Sequence, residues 1–504
     1  MSENRTKKFI ANSVVTGMYQ GVALLSGFVV PRIILVSYGS EVNGFISSIT
    51  QFIGYLLLVE AGLSQAAIYA LYKPLAEKDH NRINGIVSAA KKFYYQIGFI
   101  FLILLLFLSF IYSAFISITT LSRIEVTLIT IAIGMNSALE FFTLAKYRTL
   151  LTADQRTFVV SWASIAYKIC YVLIIYLLSY LGWDILPIMA VAVLAIFVRS
   201  IILSEYTRKK YRLINFNVKP DTSALNKRWD AFFLQILGAI QRGAPAIILT
   251  VIGQNLINVS IFSVYNLVLQ GINSILGVFN SGLASSFGNV IAKREDDVLQ
   301  RAYSEFELGY YILITIVYSV AWILIMPFIR IYTSGISDAN YDIPLFGFLV
   351  VLNGLFYNLK TPQGMMVMAA GLYKETRIQS SIQAIIIVIL GGFGVYYWGL
   401  YGLVIGMLIS NIYRSIDLLF FIPKYVTKIS PWKTFFRWVY LGLGFSIIVY
   451  FGMHLEIAPS NYLMWLVYAA VLCVVSSLVI ALLSLIFERK TVLFIVYRIK
   501  ALFS

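Results

Sequence analysis

Charge is what this chain has least of. Lysine, arginine, aspartate and glutamate make up 12% of its 504 residues, against about a quarter in a soluble globular domain. Cysteine is nearly absent. Cys170 and Cys473 each lie inside an apolar run, which excludes a disulfide framework and offers no metal-ligand spacing. The two histidines, His80 and His454, fall in separate polar loops, so no paired-histidine metal motif exists. There is no glycine-rich phosphate loop and no nucleophile spaced to a partnered base, so neither a cofactor nor enzymatic catalysis is expected. The basic N-terminus, Met1 to Lys8, precedes an apolar run that lacks an Ala-x-Ala-like site, and is read as a retained first helix.

What is present is hydrocarbon. Sixty per cent of the residues are hydrophobic, and a membrane-spanning helix needs roughly 20 of them in a row. The chain divides into about fourteen such segments, near 10–36, 44–72, 93–117, 124–145, 158–181, 185–205, 231–252, 256–290, 306–332, 341–360, 378–398, 400–421, 438–454 and 462–486. The expected fold class is an all-α polytopic membrane protein.

The few charges are sorted. Of 39 basic residues, 33 fall in clusters at 5–8, 73–92, 146–156, 208–228, 293–301, 360–377, 414–437 and 489–500. The intervening connections hold one basic residue, Arg123, and six carboxylates: Glu41, Glu125, Asp184, Asp338, Asp342 and Glu456. Positive loops stay in the cytoplasm, so each cluster marks a return to the same side and both termini are expected inside. The net charge of +16 is thereby explained without nucleic acid, and anionic lipid headgroups are the expected partner of the basic loops.

The chain contains a repeat of about six spans. Leu139-Glu140-Phe141-Phe142 faces Gly354-Leu355-Phe356-Tyr357, Asp154-Gln155-Arg156 approximately faces Glu375-Thr376-Arg377, and Arg199-Ser200-Ile201 matches Arg414-Ser415-Ile416. The expected organisation is an N-terminal six-helix lobe over 1–205, a basic cytoplasmic linker of amphipathic character over 206–230, a C-terminal six-helix lobe over 231–425, and two additional helices with a cytoplasmic tail over 426–504. Parallel repeats of this kind rock about a site at mid-membrane depth.

Charges inside the membrane are costly and usually face a cavity. Six basic residues escape the clusters: Arg32, Arg123, Lys168, Arg199, Arg242 and Arg330. Arg199 and Arg330 sit near helix ends, where a long side chain snorkels to water. Lys168 and Arg242 lie about ten residues into their spans, too deep for that. Arg242 is flanked by Gln241, Gly243 and Pro245, a small and polar stretch that an anion or headgroup can reach, with a structural ion pair as the alternative. Lys168 faces the same choice. Arg32 follows Pro31, which kinks its helix, and either contacts substrate or snorkels. The interior carboxylates Glu60 and Glu140 either neutralise such cations or bind a coupling proton or sodium. In the eighth span Asn266, Gln270, Asn273, Gly277, Asn280 and Ala284 recur at steps of three and four, one helix face. That amide stripe either lines a cavity that receives sugar hydroxyls or bonds neighbouring helices.

With those residues in place, the chain resembles the polysaccharide-transporter branch, the Wzx-type flippases, of the multidrug/oligosaccharidyl-lipid/polysaccharide (MOP) exporter superfamily. The resemblance rests on Pro31-Arg32 through Tyr38-Gly39-Ser40-Glu41-Val42-Asn43-Gly44-Phe45, on Val59-Glu60-Ala61-Gly62-Leu63-Ser64 with Lys73-Pro74-Leu75-Ala76, and on Tyr147-Arg148-Thr149-Leu150-Leu151-Thr152-Ala153-Asp154-Gln155-Arg156-Thr157. It implies two six-helix lobes related by pseudo-two-fold symmetry and alternating access. The implied substrate is an undecaprenyl-diphosphate-linked oligosaccharide, moved to the outer leaflet of the bacterial cytoplasmic membrane for surface-polysaccharide assembly. Arg32 matches the first-helix arginine of the family and Glu60 its second-helix acid, where aspartate is expected. The resemblance also implies membrane lipids, a coupling ion (sodium or proton) and other polysaccharide-assembly proteins as partners. The rival reading within the superfamily is a cation-coupled multidrug exporter, which wants acids in its cavity. The short outside loops speak against a membrane-embedded polymerase or ligase, and buried cations make a plain scaffold costly.

Overall fold

A computed structural model of the chain describes residues 2–60, 63–221, 229–280 and 283–503, leaving aside the side chains of 2–6, 9, 63, 65, 229–235, 278–280, 284–285 and 499–503. Every long element among these residues is a helix. Ten helical stretches are long and apolar enough to cross a membrane, so this is a multi-pass membrane protein. Two of the ten, Ile10–Glu60 and Arg377–Thr427, have 51 residues each and would rise about 75 Å if straight. Each is broken by a glycine with positive φ, Gly39 (φ 85°) and Gly399 (φ 55°), where an L side chain would be strained.

The described structure forms two compact units, Met1–Ser260 and Ile261–Ser504. Unit 1 runs through α1 (Ser2–Leu56), a 3-10 turn (Leu57–Glu60), α2 (Leu63–Glu77), α3 (His80–Phe115), α4 (Arg123–Thr143), α5 (Ala145–Ala153), α6 (Thr157–Tyr180), α7 (Ile185–Ala192), α8 (Ala195–Lys210) and α9 (Trp229–Val251), into the start of α10 (Leu256–Asn280). Local signals set the helix starts. Asp79 caps α3 by accepting from the Arg82 backbone N–H at 3.0 Å, and Ser122 with Glu125 forms a capping box on α4. The first half of α1 packs on α6, where Tyr38 donates to the Trp183 carbonyl at 2.7 Å. Its second half packs on α9 and the start of α10. There Ser48 bonds Thr250 and Asn43 bonds Ser260, both at 2.7 Å. A Cβ on Gly44 would stand 1.8 Å from the Leu256 carbonyl oxygen, so this close approach requires glycine.

The exposed face of α3 carries Phe99, Ile103, Leu106, Phe107 and Phe110 at helical spacing, a surface made for lipid. Beyond α8 the basic linker is not helical over Tyr211–Asp221. It docks on α3, with the Asp221 N–H donating to the Gly85 carbonyl and Asn84 bridging to Leu213 and Asn215. Residues 222–228 of the linker lie outside the described residues.

Unit 2 takes the remainder of α10, then α11 (Leu283–Ala292), α12 (Asp296–Tyr332), α13 (Pro344–Leu359), α14 (Thr361–Ala370), α15 (Arg377–Ile422), a π turn (Pro423–Thr427), α16 (Pro431–Met453) and α17 (Tyr462–Phe503). Buried α12 is its centre, packed by α13, α16 and α17. The halves of α15 fold back at Gly399 and meet through glycine. A Cβ on Gly394 would lie 2.3 Å from the Gly402 carbonyl, and Gly406 similarly abuts Gly391, the small-residue contact by which helices approach closely in lipid. The packing divides the chain after Ser260, whereas the repeat read from sequence divides it at 206–230. The difference is α9, which follows the linker but packs on α1.

Candidate functional site

Unit 1 gathers its buried charges where α4 gives way to α5. The chain breaks at Leu144, and the short α5 turns Arg148 inward between two acids. Arg148 donates one Nη to Glu60 Oε1 at 2.8 Å and the other to Glu140 Oε1. The second oxygen of Glu140 is 3.4 Å from the Arg199 guanidinium on α8. Tyr94 and Thr149, bonded at 2.9 Å, close the cluster beside Arg148. Two carboxylates and two guanidinium groups therefore balance one another in charge, while the buried Nε of Arg199 has no hydrogen-bond partner among the described residues.

Arg148 was counted in sequence among the cytoplasmic clusters, and its inward role was missed. Helical spacing offers no signal for it, because the break at Leu144 separates Glu140 on α4 from Arg148 on α5. Arg199, expected to snorkel to water, instead has a side chain 13% exposed and points at Glu140. An acid within reach outweighs the path to solvent. Arg330 is half exposed and pairs with Asp342 at 3.1 Å, as a residue at an open helix end does.

Lys168 on α6 is different. It is partly buried, with its ammonium 5.9 and 6.0 Å from the ring centres of Tyr167 and Tyr171. Arg242 on α9 is exposed, and its guanidinium lies back along Gly238. Among the described residues neither Lys168 nor Arg242 forms an ion pair. Gly243 admits Tyr55 of α1, whose ring would be 2.7 Å from an added Cβ, and Arg242 beside it remains exposed. Arg32 sits in α1 after Pro31, partly buried.

The amide stripe on α10 is divided in use. Asn273 accepts from Asn358 of α13 at 2.9 Å, and Asn358 also bonds Tyr310 and Tyr318. Asn266 is half-buried and Gln270 exposed, and among the described residues their side-chain amides bond no protein group. The side chain of Asn280 and that of Ala284 lie outside the described residues.

Unit 2 holds two buried polar groups that sequence reasoning did not single out. Arg437, fully buried on α16, reaches Glu307 at 2.7 Å and Glu488 at 2.6 Å. Thr434, Tyr303 and Gln363 complete the bonds to Glu307. The sequence cue was the setting of Arg437 between Phe436 and Trp438 in an apolar run. At the break between α13 and α14, Lys360 donates to Asn411 at 2.7 Å, and Asn411 to Asn353 at 2.9 Å. No group of histidines, cysteines or acids able to hold a metal occurs among the described residues.

Outside the spans, Asp154 ties three elements together. It takes hydrogen bonds from Arg156 at 2.7 Å and from Tyr211, and lies 3.4 Å from Lys8. Burial pushes its carboxyl up, but the bonds from Tyr211 and Arg156 and the charges of Lys8 and Arg156 outweigh it, leaving it below the usual aspartate value.

No protein-family model matches the chain, and no curated protein sequence does. Solved structures do match. A lipid II flippase MurJ in an inward closed conformation superposes with a TM-score of 0.69 at 15% identity, covering 95% of this chain and 99% of that one. An inward-facing multidrug resistance MATE family transporter of the MOP superfamily gives 0.68 at 14% identity, covering 78% and 92%. A MOP superfamily transporter from Pyrococcus furiosus, described as having a binding pocket of reversed polarity, gives 0.53 at 15%, covering 82% and 94%. At these identities the likeness is one of fold, and the fold is that of the MOP superfamily transporters.

Proposed function

We propose that this chain is a flippase for a polyprenyl-diphosphate-linked oligosaccharide, of the Wzx type, acting in the bacterial cytoplasmic membrane by alternating access. The topology that goes with this reading has fourteen crossings and both termini in the cytoplasm. Gly39 and Gly399 serve as turning points, and the short helices α2, α5, α8, α11 and α14 complete spans begun by their predecessors.

One observation carries the reading, the balance of charge. The interior acids of unit 1, Glu60 and Glu140, are both spent on Arg148 and Arg199. Lys168 and Arg242 are left without a carboxylate among the described residues. An exporter of organic cations wants the opposite surplus. A diphosphate cannot cross hydrocarbon bare, and unpaired cations at that depth replace its water with charge-assisted hydrogen bonds. Taken by itself, unit 2 has open amides at Asn266 and Gln270, donors and acceptors of the kind sugar hydroxyls use. Glu60 and Glu140 act here as charge partners, and any coupling proton or sodium would have to compete with Arg148 for them.

The test is reconstitution. Vesicles containing the purified protein and a fluorescent polyprenyl-diphosphate glycan are assayed for leaflet exchange. Exchange that depends on Arg242 supports the flippase. Acid-driven expulsion of ethidium, with no glycan-lipid exchange, would place the chain with the drug exporters instead.

A further inference from the structure

Three basic clusters that are far apart in sequence converge at one end of unit 2. The first turns of α12, the segment before α16 with its first turn, and the part of α17 beyond its break at Glu488 enclose a cavity of about 660 Å³. Its cations are Arg301, Lys428, Lys433 and Lys490, and its carboxylates are Asp297 and Glu305. Two of these six are already neutralised from outside the cavity, Lys428 by Asp296 at 2.6 Å and Glu305 by Arg498 at 3.0 Å. Lys433 spends one donor on the neutral Ser304 hydroxyl at 2.8 Å. Arg301 and Lys490 have no acidic partner among the described residues. Three cations thus face one free carboxylate around an open volume.

We propose that this cavity binds a phosphate group, supplied by the headgroup of an anionic phospholipid. The volume is that of a ligand pocket and exceeds what a lone phosphate needs, leaving room for the polar moiety attached to it. The lipid source follows from the mouth. Phe494 lines the cavity, and beside it Leu493, Val496 and Tyr497 are exposed on the same stretch of α17 that carries Lys490 and Arg498. An exposed apolar face edged by basic residues lies at the headgroup level of a bilayer, where basic pockets between helices recognise anionic lipids. The site is separate from the glycan-lipid path proposed above and does not depend on it. The floor beneath it, Arg437 between Glu307 and Glu488, is closed by its own ion pairs and is not offered as part of the site.

The experiment counts retained lipid on the full chain in detergent by native mass spectrometry, with phosphatidylglycerol and phosphatidylcholine supplied in parallel. The expected result is preferential retention of phosphatidylglycerol, reduced at least about fivefold in R301Q/K490Q, partly reduced in either single variant, and unchanged in K374Q, an exposed cation off the cavity. Arg301 and Lys490 are exposed and unpaired, so these variants keep the fold, which the thermal melting curve checks. Glycerol 3-phosphate is the second arm. If it displaces phosphatidylglycerol from wild type, the shared phosphate chemistry is supported. If it binds with the same sensitivity to R301Q/K490Q while phosphatidylglycerol shows no preference, the lipid assignment is wrong. Equal retention of both lipids, or retention indifferent to R301Q/K490Q, overturns the proposal.

Discussion

Lys168 and Arg148 are cations of the same unit, and what separates them is company. Arg148 holds two carboxylates, and Lys168 has tyrosine rings. The same contrast predicts opposite mutational outcomes. Arg437→Ala removes the shared partner of Glu307 and Glu488 at a site with no solvent exposure, and should cost about 3–5 kcal/mol. The check is the apparent melting temperature in detergent, which falls. In E307Q/R437M/E488Q, which removes the whole cluster, most of that loss is recovered. At Asp154 the prediction concerns pH. Its folded carboxyl titrates below the usual value of 3.8, so its contribution is fully present above that value and is lost as pH falls through the folded one. The melting temperature of wild type minus that of D154N therefore shrinks as pH falls below 3.8; a constant difference contradicts it. Sequence reading singles out Lys168 and Arg242 because they sit far from any helix end. It passes over Arg148 and Arg437 because both lie within a few residues of polar loops, where linear distance suggests water.

Helices were the most legible element, since nothing else satisfies backbone groups across lipid at this composition. The division read between the segments 378–398 and 400–421 coincides with the break at Gly399. Other breaks gave no warning. The chain interrupts α4 from α5 at Leu144 and bends α17 at Glu488, each a position held by tertiary contacts and not by proline or glycine. Glycines at crossings make a sharp prediction. Gly44→Val and Gly402→Leu, which drive side chains into facing backbone, should abolish recovery of monodisperse protein by size-exclusion chromatography. Gly17→Ala, with open space around it, should not.

Across the whole molecule the places paired by the repeat read from sequence do not carry matching chemistry. Arg199 and Arg414 occupy matching places, yet Arg199 pairs with Glu140 while Arg414 pairs with Asp417 on its own helix. In unit 2 Gln363 bonds Glu307 and Tyr311 at 3.1 and 2.6 Å, and the cation of that cluster is Arg437. A likeness between spans does not show which partner each charge acquires in the fold. The most direct test measures leaflet exchange of a polyprenyl-diphosphate glycan by K168Q/R242Q against wild type and the charge-preserving K168R/R242K, all at equal insertion and melting temperature. Loss of exchange, by at least about tenfold, is expected in K168Q/R242Q, and retention in K168R/R242K. Wild-type exchange by K168Q/R242Q would contradict it.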